Sequence, residues 1–377
     1  MNKMEKKKLL IATDAFLPRW DGISRFLFEI LPMLAKDYDI TVLAPNFGEF
    51  NFKDIKVVRF PIIGFKVADT KILFPNLFTI AKYVIESDIV FIQDLMPIGY
   101  FTTRIAKLFR KKVISYIHII ESELLPKALS KLYLKRLAYP LSKRVARTSY
   151  NKNDLIIAPS QSIADKLLWQ RIDVNIKIAH LGVDIVKFSP TLNIKNAKKL
   201  IGIDENDIVI GYHGRISREK NLIVLLRAFA AIRKQYKNVK LLIVGDGLES
   251  LKNKIDGIKG TICVGMKANP VPYLQAMDIY VLPSRTETTS LSTLEAMSCE
   301  IPVCATKVGF VQDYIKDGIN GFFFDFKNHF SLKVKLEKLI EDKDLRLRIG
   351  KSGRETVLKK FTWKRSTNQI KNIISKL

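Results

Sequence analysis

The stretch Leu282-Pro283-Ser284-Arg285-Thr286-Glu287-Thr288-Thr289-Ser290-Leu291-Ser292-Thr293-Leu294-Glu295-Ala296-Met297 carries the reading of this chain. It follows a short apolar run, passes through a polar loop and then opens a segment of helical character: strand, loop, helix. Glu287 and Glu295 are eight residues apart, so one falls in the loop and the other inside the helix. The backbone N–H groups from Thr289 through Ser290 to Leu291 stand at the helix start, where the helix offers them no carbonyl, and such amides make an anion site. A sugar diphosphate suits the place, with phosphate on the amides and carboxylates on hydroxyls. Alone, the pattern is weak. Glutamates at this spacing are common, and acidic residues near helix starts are favoured by the helix dipole in any case.

The same junction recurs upstream. Gly211-Tyr212-His213-Gly214-Arg215-Ile216-Ser217-Arg218-Glu219-Lys220-Asn221 also follows a strand and opens a helix. A departing nucleoside diphosphate needs cations, which Arg215 can supply bidentately and Lys220 as a point charge. A solvated basic turn reads the same way. Near the start, Pro18-Arg19-Trp20-Asp21-Gly22-Ile23-Ser24 is a third such junction, where Gly22 lets a ligand approach the backbone.

Working outward, short apolar runs alternate with amphipathic stretches throughout, the signature of parallel α/β architecture. Predicted strands of the first half are Lys8 to Ala12, Ile40 to Ala44, Lys56 to Arg59, Ile89 to Ile92, Lys112 to Ile117 and Leu155 to Ala158, with helices at Gly22 to Lys36 and Gln161 to Trp169. The second series is IVIGYHG, KLLIVGDG, GTICVG, IYVLPS, IPVCAT and GFFFD. Near-continuous apolar runs of this kind are buried parallel strands. Two doubly wound halves therefore meet near Phe188-Ser189-Pro190, which divides the 377 residues into 1–188 and 189–360. The remainder, 361–377, holds Trp363, Ile370, Ile373, Ile374 and Leu377 at helical spacing behind a capping Thr362.

Together these segments resemble the large retaining glycosyltransferase family 4 ("glycosyl transferases group 1"), which has the GT-B fold and an E-x7-E signature. The resemblance also rests on Ala158-Pro159-Ser160, Gly182-Val183-Asp184, Gly245-Asp246-Gly247, Pro302-Val303, Asp317-Gly318-Ile319-Asn320-Gly321-Phe322 and Phe361-Thr362-Trp363. It implies two Rossmann-like domains facing across a cleft, acceptor domain first and donor domain second, with the C-terminal helix crossing back to the first. It gives Arg215 and Lys220 the diphosphate, Glu287 the donor sugar, Glu295 the ribose hydroxyls, and Gly22 the edge of phosphates and sugar. His118 matches a family histidine near the reaction centre. Implied too are retention of anomeric configuration, no bound metal or other cofactor, and front-face attack by an acceptor hydroxyl as the diphosphate leaves. Asp37-Tyr38-Asp39 looks like a metal-binding D-x-D but reads as an ordinary loop before a strand. Ile23 replaces a usual second glycine, and Thr288, Thr289 and Ser290 replace the glycines that often follow the first glutamate. Both departures are similar to membrane-associated glycolipid synthases such as monoglucosyldiacylglycerol synthase.

Charge points to a partner. The chain has 63 Lys+Arg against 37 Asp+Glu, a formal net of +26. Residues 101–150 carry a net +10 and residues 351–377 a net +7, so most of the excess is local. Pro126 to Lys152 has five Lys, three Arg and no acid, with Leu129, Leu132, Tyr133, Leu137 and Leu141 interleaved, as in helices that sit on anionic lipid. The same leucines could instead face a protein core. The expected partners are thus a nucleotide-sugar donor, a lipid or lipid-linked acceptor and an anionic membrane surface reached through residues 101–152 and the C-terminal helix. A soluble glycan or small metabolite is the alternative acceptor. A nucleic-acid-binding protein is the non-enzymatic alternative, but no helix-turn-helix, zinc-finger or aromatic RNA-binding signature is present. Three cysteines, Cys263, Cys299 and Cys304, form no C-x-x-C pair and fit a reducing compartment. With no signal-peptide pattern and no long apolar run, the expected place is cytoplasmic, peripheral to the inner face of the cell membrane.

Overall fold

A computed structural model describes residues 6–62, 66–67, 70–71, 74–120 and 132–377. The chain forms two compact units: the described residues of Met1–His180 together with Ser366–Leu377, and Leu181–Arg365.

The first unit is built on seven strands, β1 (Lys7–Ala12), β2 (Tyr38–Pro45), β3 (Ile55–Phe60), β6 (Ile89–Ile92), β7 (Lys112–Tyr116), β8 (Leu155–Ala158) and β9 (Ile176–Ile178). They lie in the order β3-β2-β1-β6-β7-β8-β9, every pair parallel. A small antiparallel pair, β4 (Lys66–Val67) and β5 (Thr70–Lys71), stands apart. The six expected strands all form: β6 and β8 to the residue, and β1, β2 and β3 longer by one to three residues. Ile117 drops out of β7, and β9 and the small pair are additions, too short and too polar to show as apolar runs. Leu9 to Ala12 and Val90 to Ile92 are buried on both faces, as central parallel strands require. The D-x-D lookalike is only partly a loop: Tyr38 and Asp39 open β2, and Asp37 is held by Lys371, Oδ2 to Nζ 2.5 Å.

The second unit has β10 (Ile208–His213), β11 (Val239–Val244), β12 (Thr261–Cys263), β13 (Ile279–Leu282), β14 (Val303–Thr306) and β15 (Phe322–Phe324), in the order β12-β11-β10-β13-β14-β15, all parallel. These are the six expected strands. The boundary lies a little before the expected one for a physical reason. Val183 N–H donates to Phe361 O at 2.8 Å, and a Cβ on Gly182 would stand 2.4 Å from the backbone N of Trp363. Residues 181–188 are therefore tied to the chain at Phe361–Trp363. The last helix, Trp363–Ile374, starts in the second unit and ends in the first, where Ile370 and Ile374 are fully buried. Arg365 N–H donates to the hydroxyl of Thr362 at 3.3 Å, the expected cap.

In both sheets the strand order reverses beside the first strand of the unit, between β1 and β6 and between β10 and β13. Open parallel sheets bind ligands at the carboxyl ends of strands at such a reversal. The second reversal is also splayed: β10 and β13 pair only at Ile210↔Ile279 and Gly211↔Tyr280, although β10 runs on to His213 and β13 to Leu282.

Of the basic segment, Leu129 and the side chains of Leu132, Tyr133 and Leu137 lie outside what is described. The helix Leu132–Tyr150 leaves Leu141 exposed, so that leucine is not a core residue. No helix among the described residues is long and apolar enough to cross a membrane.

Candidate active site

The splayed reversal of the second unit gathers most of the expected residues. The loop after β10 carries Arg215 and Lys220; the loop after β13 carries Glu287 and Thr289, and Ser290, Leu291 and Glu295 follow at the helix Leu291–Ser298. Lys220 Nζ lies 2.6 Å from Glu287 Oε1, and Ser284 Oγ donates to the same oxygen at 2.7 Å. The Glu287 side chain is only 9% exposed, so the lysine and serine fix its direction. Arg215 is exposed, and among the described residues its guanidinium pairs with no carboxylate. It is a cation available to an anionic ligand.

The helix start matches expectation. Ser290 caps it, accepting from Thr293 N–H at 3.4 Å, and among the described residues the amides of Ser290 and Leu291 meet no acceptor. The buried Thr289 hydroxyl likewise has no hydrogen-bond partner among the described residues. A buried hydroxyl without a partner is costly and suits a place completed by a ligand. This loop is pinned from behind: Phe310 N–H donates to Thr288 O at 3.0 Å, and a Cβ on Gly309, whose φ is +49°, would stand 1.9 Å from Glu287 O. Glu295 is fully buried, its Oε2 3.4 Å from His213 Nδ1 at the end of β10. Below them Tyr280 Oη donates to His213 O at 3.2 Å and lies 2.9 Å from the hydroxyl of Ser292.

Gly22 and His118 belong to the first unit. Space beside Gly22 is open, with no atom within 4 Å of where a Cβ would stand. The amides of its helix are already capped, because the Asp21 carboxylate accepts from Ile23 N–H at 3.1 Å and Ser24 N–H at 3.0 Å. That helix start is therefore not a free anion site. His118 follows β7, with Nε2 3.0 Å from Gln93 Oε1 and the ring against Phe26 and Tyr116, centroids 4.7 and 4.6 Å away. Burial pushes its pKa down to about 3. The imidazole is thus neutral, a hydrogen-bonding group rather than a cation.

Comparisons with known proteins give the family and the fold. A sequence family described as "Glycosyl transferases group 1" matches residues 193–356, and "Glycosyltransferase Family 4" matches residues 20–187. The chain belongs to the group 1, family 4 glycosyltransferases. An uncharacterised glycosyltransferase of Methanocaldococcus jannaschii is 27% identical, covering 99% of this chain and 100% of its own. The alpha-monoglucosyldiacylglycerol synthase of Streptococcus pneumoniae is 26% identical over 88% of this chain and 78% of its own. Among solved structures, that of Anabaena HepE in complex with UDP superposes with a TM-score of 0.80 at 21% identity, covering 98% of this chain and 100% of that one. The fold is GT-B, and the protein is a hexosyltransferase that uses a nucleotide-sugar donor.

Sequence reasoning missed three parts of this glycosyltransferase. Asn221 adopts a left-handed conformation, φ +55°, and ties the two donor loops: its amide donates to Pro283 O at 3.1 Å and Phe326 O at 2.8 Å, and accepts from Arg285 Nε at 3.2 Å. An Asn at a loop-to-helix junction was the available signal. Gln93, the partner of His118, ends an apolar strand and gave none. At the reversal between β1 and β6 lie two carboxyls. Asp14 accepts from Ile98 N–H at 2.9 Å, and Asp94 from Thr13 Oγ1 and Asp14 N–H, both at 2.9 Å. Burial raises both above the usual carboxylate range, Asp14 strongly and with the Asp94 charge adding to it. They titrate as a pair.

Proposed function

We propose that this enzyme transfers a hexosyl group from a nucleotide sugar, UDP-hexose first among donors, to a membrane lipid or lipid-linked acceptor with retention of anomeric configuration. The observation that carries the donor half is the splayed reversal of the second unit. There an available Arg215, a Lys220–Glu287 pair and uncommitted amides at Ser290 and Leu291 stand on one edge. Arg215 and Lys220 hold the diphosphate and stabilise it as it leaves; the amides and the Thr289 hydroxyl take further phosphate oxygens. Lys220 is released from Glu287 as the phosphate arrives, which frees Glu287 for a sugar hydroxyl. Glu295 serves the ribose, and Gly22 and the neutral His118 serve the sugar. The acceptor hydroxyl attacks the face that the diphosphate vacates and gives its proton to the departing oxygen, with no metal ion taking part.

The lipid half is supported by likeness to glycolipid synthases over most of the chain and by the local positive charge. An anionic membrane surface meets residues 101–152 and the C-terminal helix, which places the enzyme peripherally on the inner face of the cell membrane. The test is a donor panel of UDP-glucose, UDP-galactose, GDP-mannose and UDP-N-acetylglucosamine against membrane lipid extract, with and without EDTA, the product anomer read by NMR. Transfer confined to water-soluble acceptors removes the lipid reading. An inverted product removes retention, and loss of activity in EDTA removes metal independence.

A further inference from the structure

An aromatic shelf stands on the first unit that the donor chemistry does not use. Trp20 is 58% exposed and meets Phe28 edge-on, centroids 5.6 Å apart. Phe28 lies 6.3 Å from Phe50 and 6.1 Å from Phe52, which are 5.1 Å from each other. These rings come from the connections after β1 and β2 and from the helix Gly22–Leu34, at the carboxyl edge where open parallel sheets bind ligands.

The shelf is held rigidly. Arg59 on β3 donates through Nη1 to Leu17 O at 2.7 Å and Pro45 O at 3.1 Å, and through Nη2 to Phe50 O at 3.1 Å. One guanidinium thereby fastens both connections, and it also lies over the Phe16 ring, 5.1 Å from its centroid. A surface fixed in advance loses little freedom on binding.

We propose that this shelf receives the hydrocarbon part of an amphiphilic acceptor, with Trp20 the residue that selects for it. The charged groups that flank Trp20 are already engaged. Arg19 lies over Phe47 at 5.3 Å and 3.5 Å from Asp21, and the Asp21 carboxylate caps its helix. A hydroxyl-rich acceptor needs converging donors and acceptors; a chain needs apolar area, which ring edges and faces supply. The inference rests on the lipid-acceptor reading above.

Brominated dodecyl maltoside, below its micelle-forming concentration, should quench part of the tryptophan fluorescence of the full chain. Trp20→Phe should abolish that quenching while the emission of Trp169 and Trp363 remains. With diacylglycerols in mixed micelles, Trp20→Ala should raise acceptor KM at least about tenfold with kcat, donor hydrolysis and melting temperature unchanged, and Trp20→Phe should recover most of the loss. Quenching that persists in Trp20→Phe, or an unchanged KM in Trp20→Ala, overturns the shelf. Donor hydrolysis without transfer to any diacylglycerol overturns the lipid-acceptor reading instead. The quenching result still decides whether the shelf binds hydrocarbon.

Discussion

Replacing His118 by glutamine should make the fold less sensitive to acid. The imidazole is buried against Phe26 and Tyr116, and burial moves its pKa from 6.5 down to about 3. Between those values the unfolded chain binds a proton that the folded chain does not. Stability from this group is therefore full above the unfolded pKa and is lost as pH falls below it. From about pH 7 to about pH 5 the loss amounts to about 2 kcal/mol, nearly all from protonation of the unfolded state. Urea denaturation of both proteins at these two pH values gives the quantity as a difference of differences. That form matters because Asp14 and Asp94, whose carboxyls are raised by burial, act in the opposite sense: the fold takes up their protons first and gains stability as pH falls. Their contribution is common to both proteins and cancels. Equal losses of stability in the two proteins between these pH values would refute the neutral, buried imidazole.

Other substitutions test the donor edge and its supports. Lys220→Ala or Glu287→Ala should abolish measurable transfer, a fall of about 10²-fold or more, with the melting transition kept; near-normal turnover in either removes the assignment. Thr289→Val should leave the ligand-free protein as stable or slightly more so, because it deletes a buried hydroxyl without a partner, and should raise donor KM. Calorimetric titration with UDP separates those two effects. Arg59→Ala should cost about 2–4 kcal/mol by loss of three bonds from one charged group, read as a lowered urea midpoint, while UDP binding is kept.

The parts legible in the sequence were those set by neighbouring residues. β6, β8 and the helix Gln161–Trp169 could be bounded to the residue, because apolar runs and a capping Ser160 mark them. The loops at Arg215 to Lys220 and Glu287 to Leu291 were legible as strand-to-helix junctions. What stayed hidden depends on distant contacts. Arg59 reads as one more cation in a strand, yet it fastens two connections. Asp14 and Asp94, 80 positions apart, meet only because β1 and β6 are neighbours. The exposure of Leu141 was equally undecided, since amphipathic spacing does not say which face is covered.

The last helix has a consequence for how the chain is made. Ser366–Leu377 completes the first unit, burying Ile370 and Ile374 and pairing Lys371 with Asp37. On the ribosome, that unit emerges first but lacks this piece until the second unit has been synthesised. A fragment ending at His180 would therefore be an unfinished domain with an open apolar seat. A separately supplied Trp363–Leu377 peptide should dock there and raise the fragment's resistance to proteolysis.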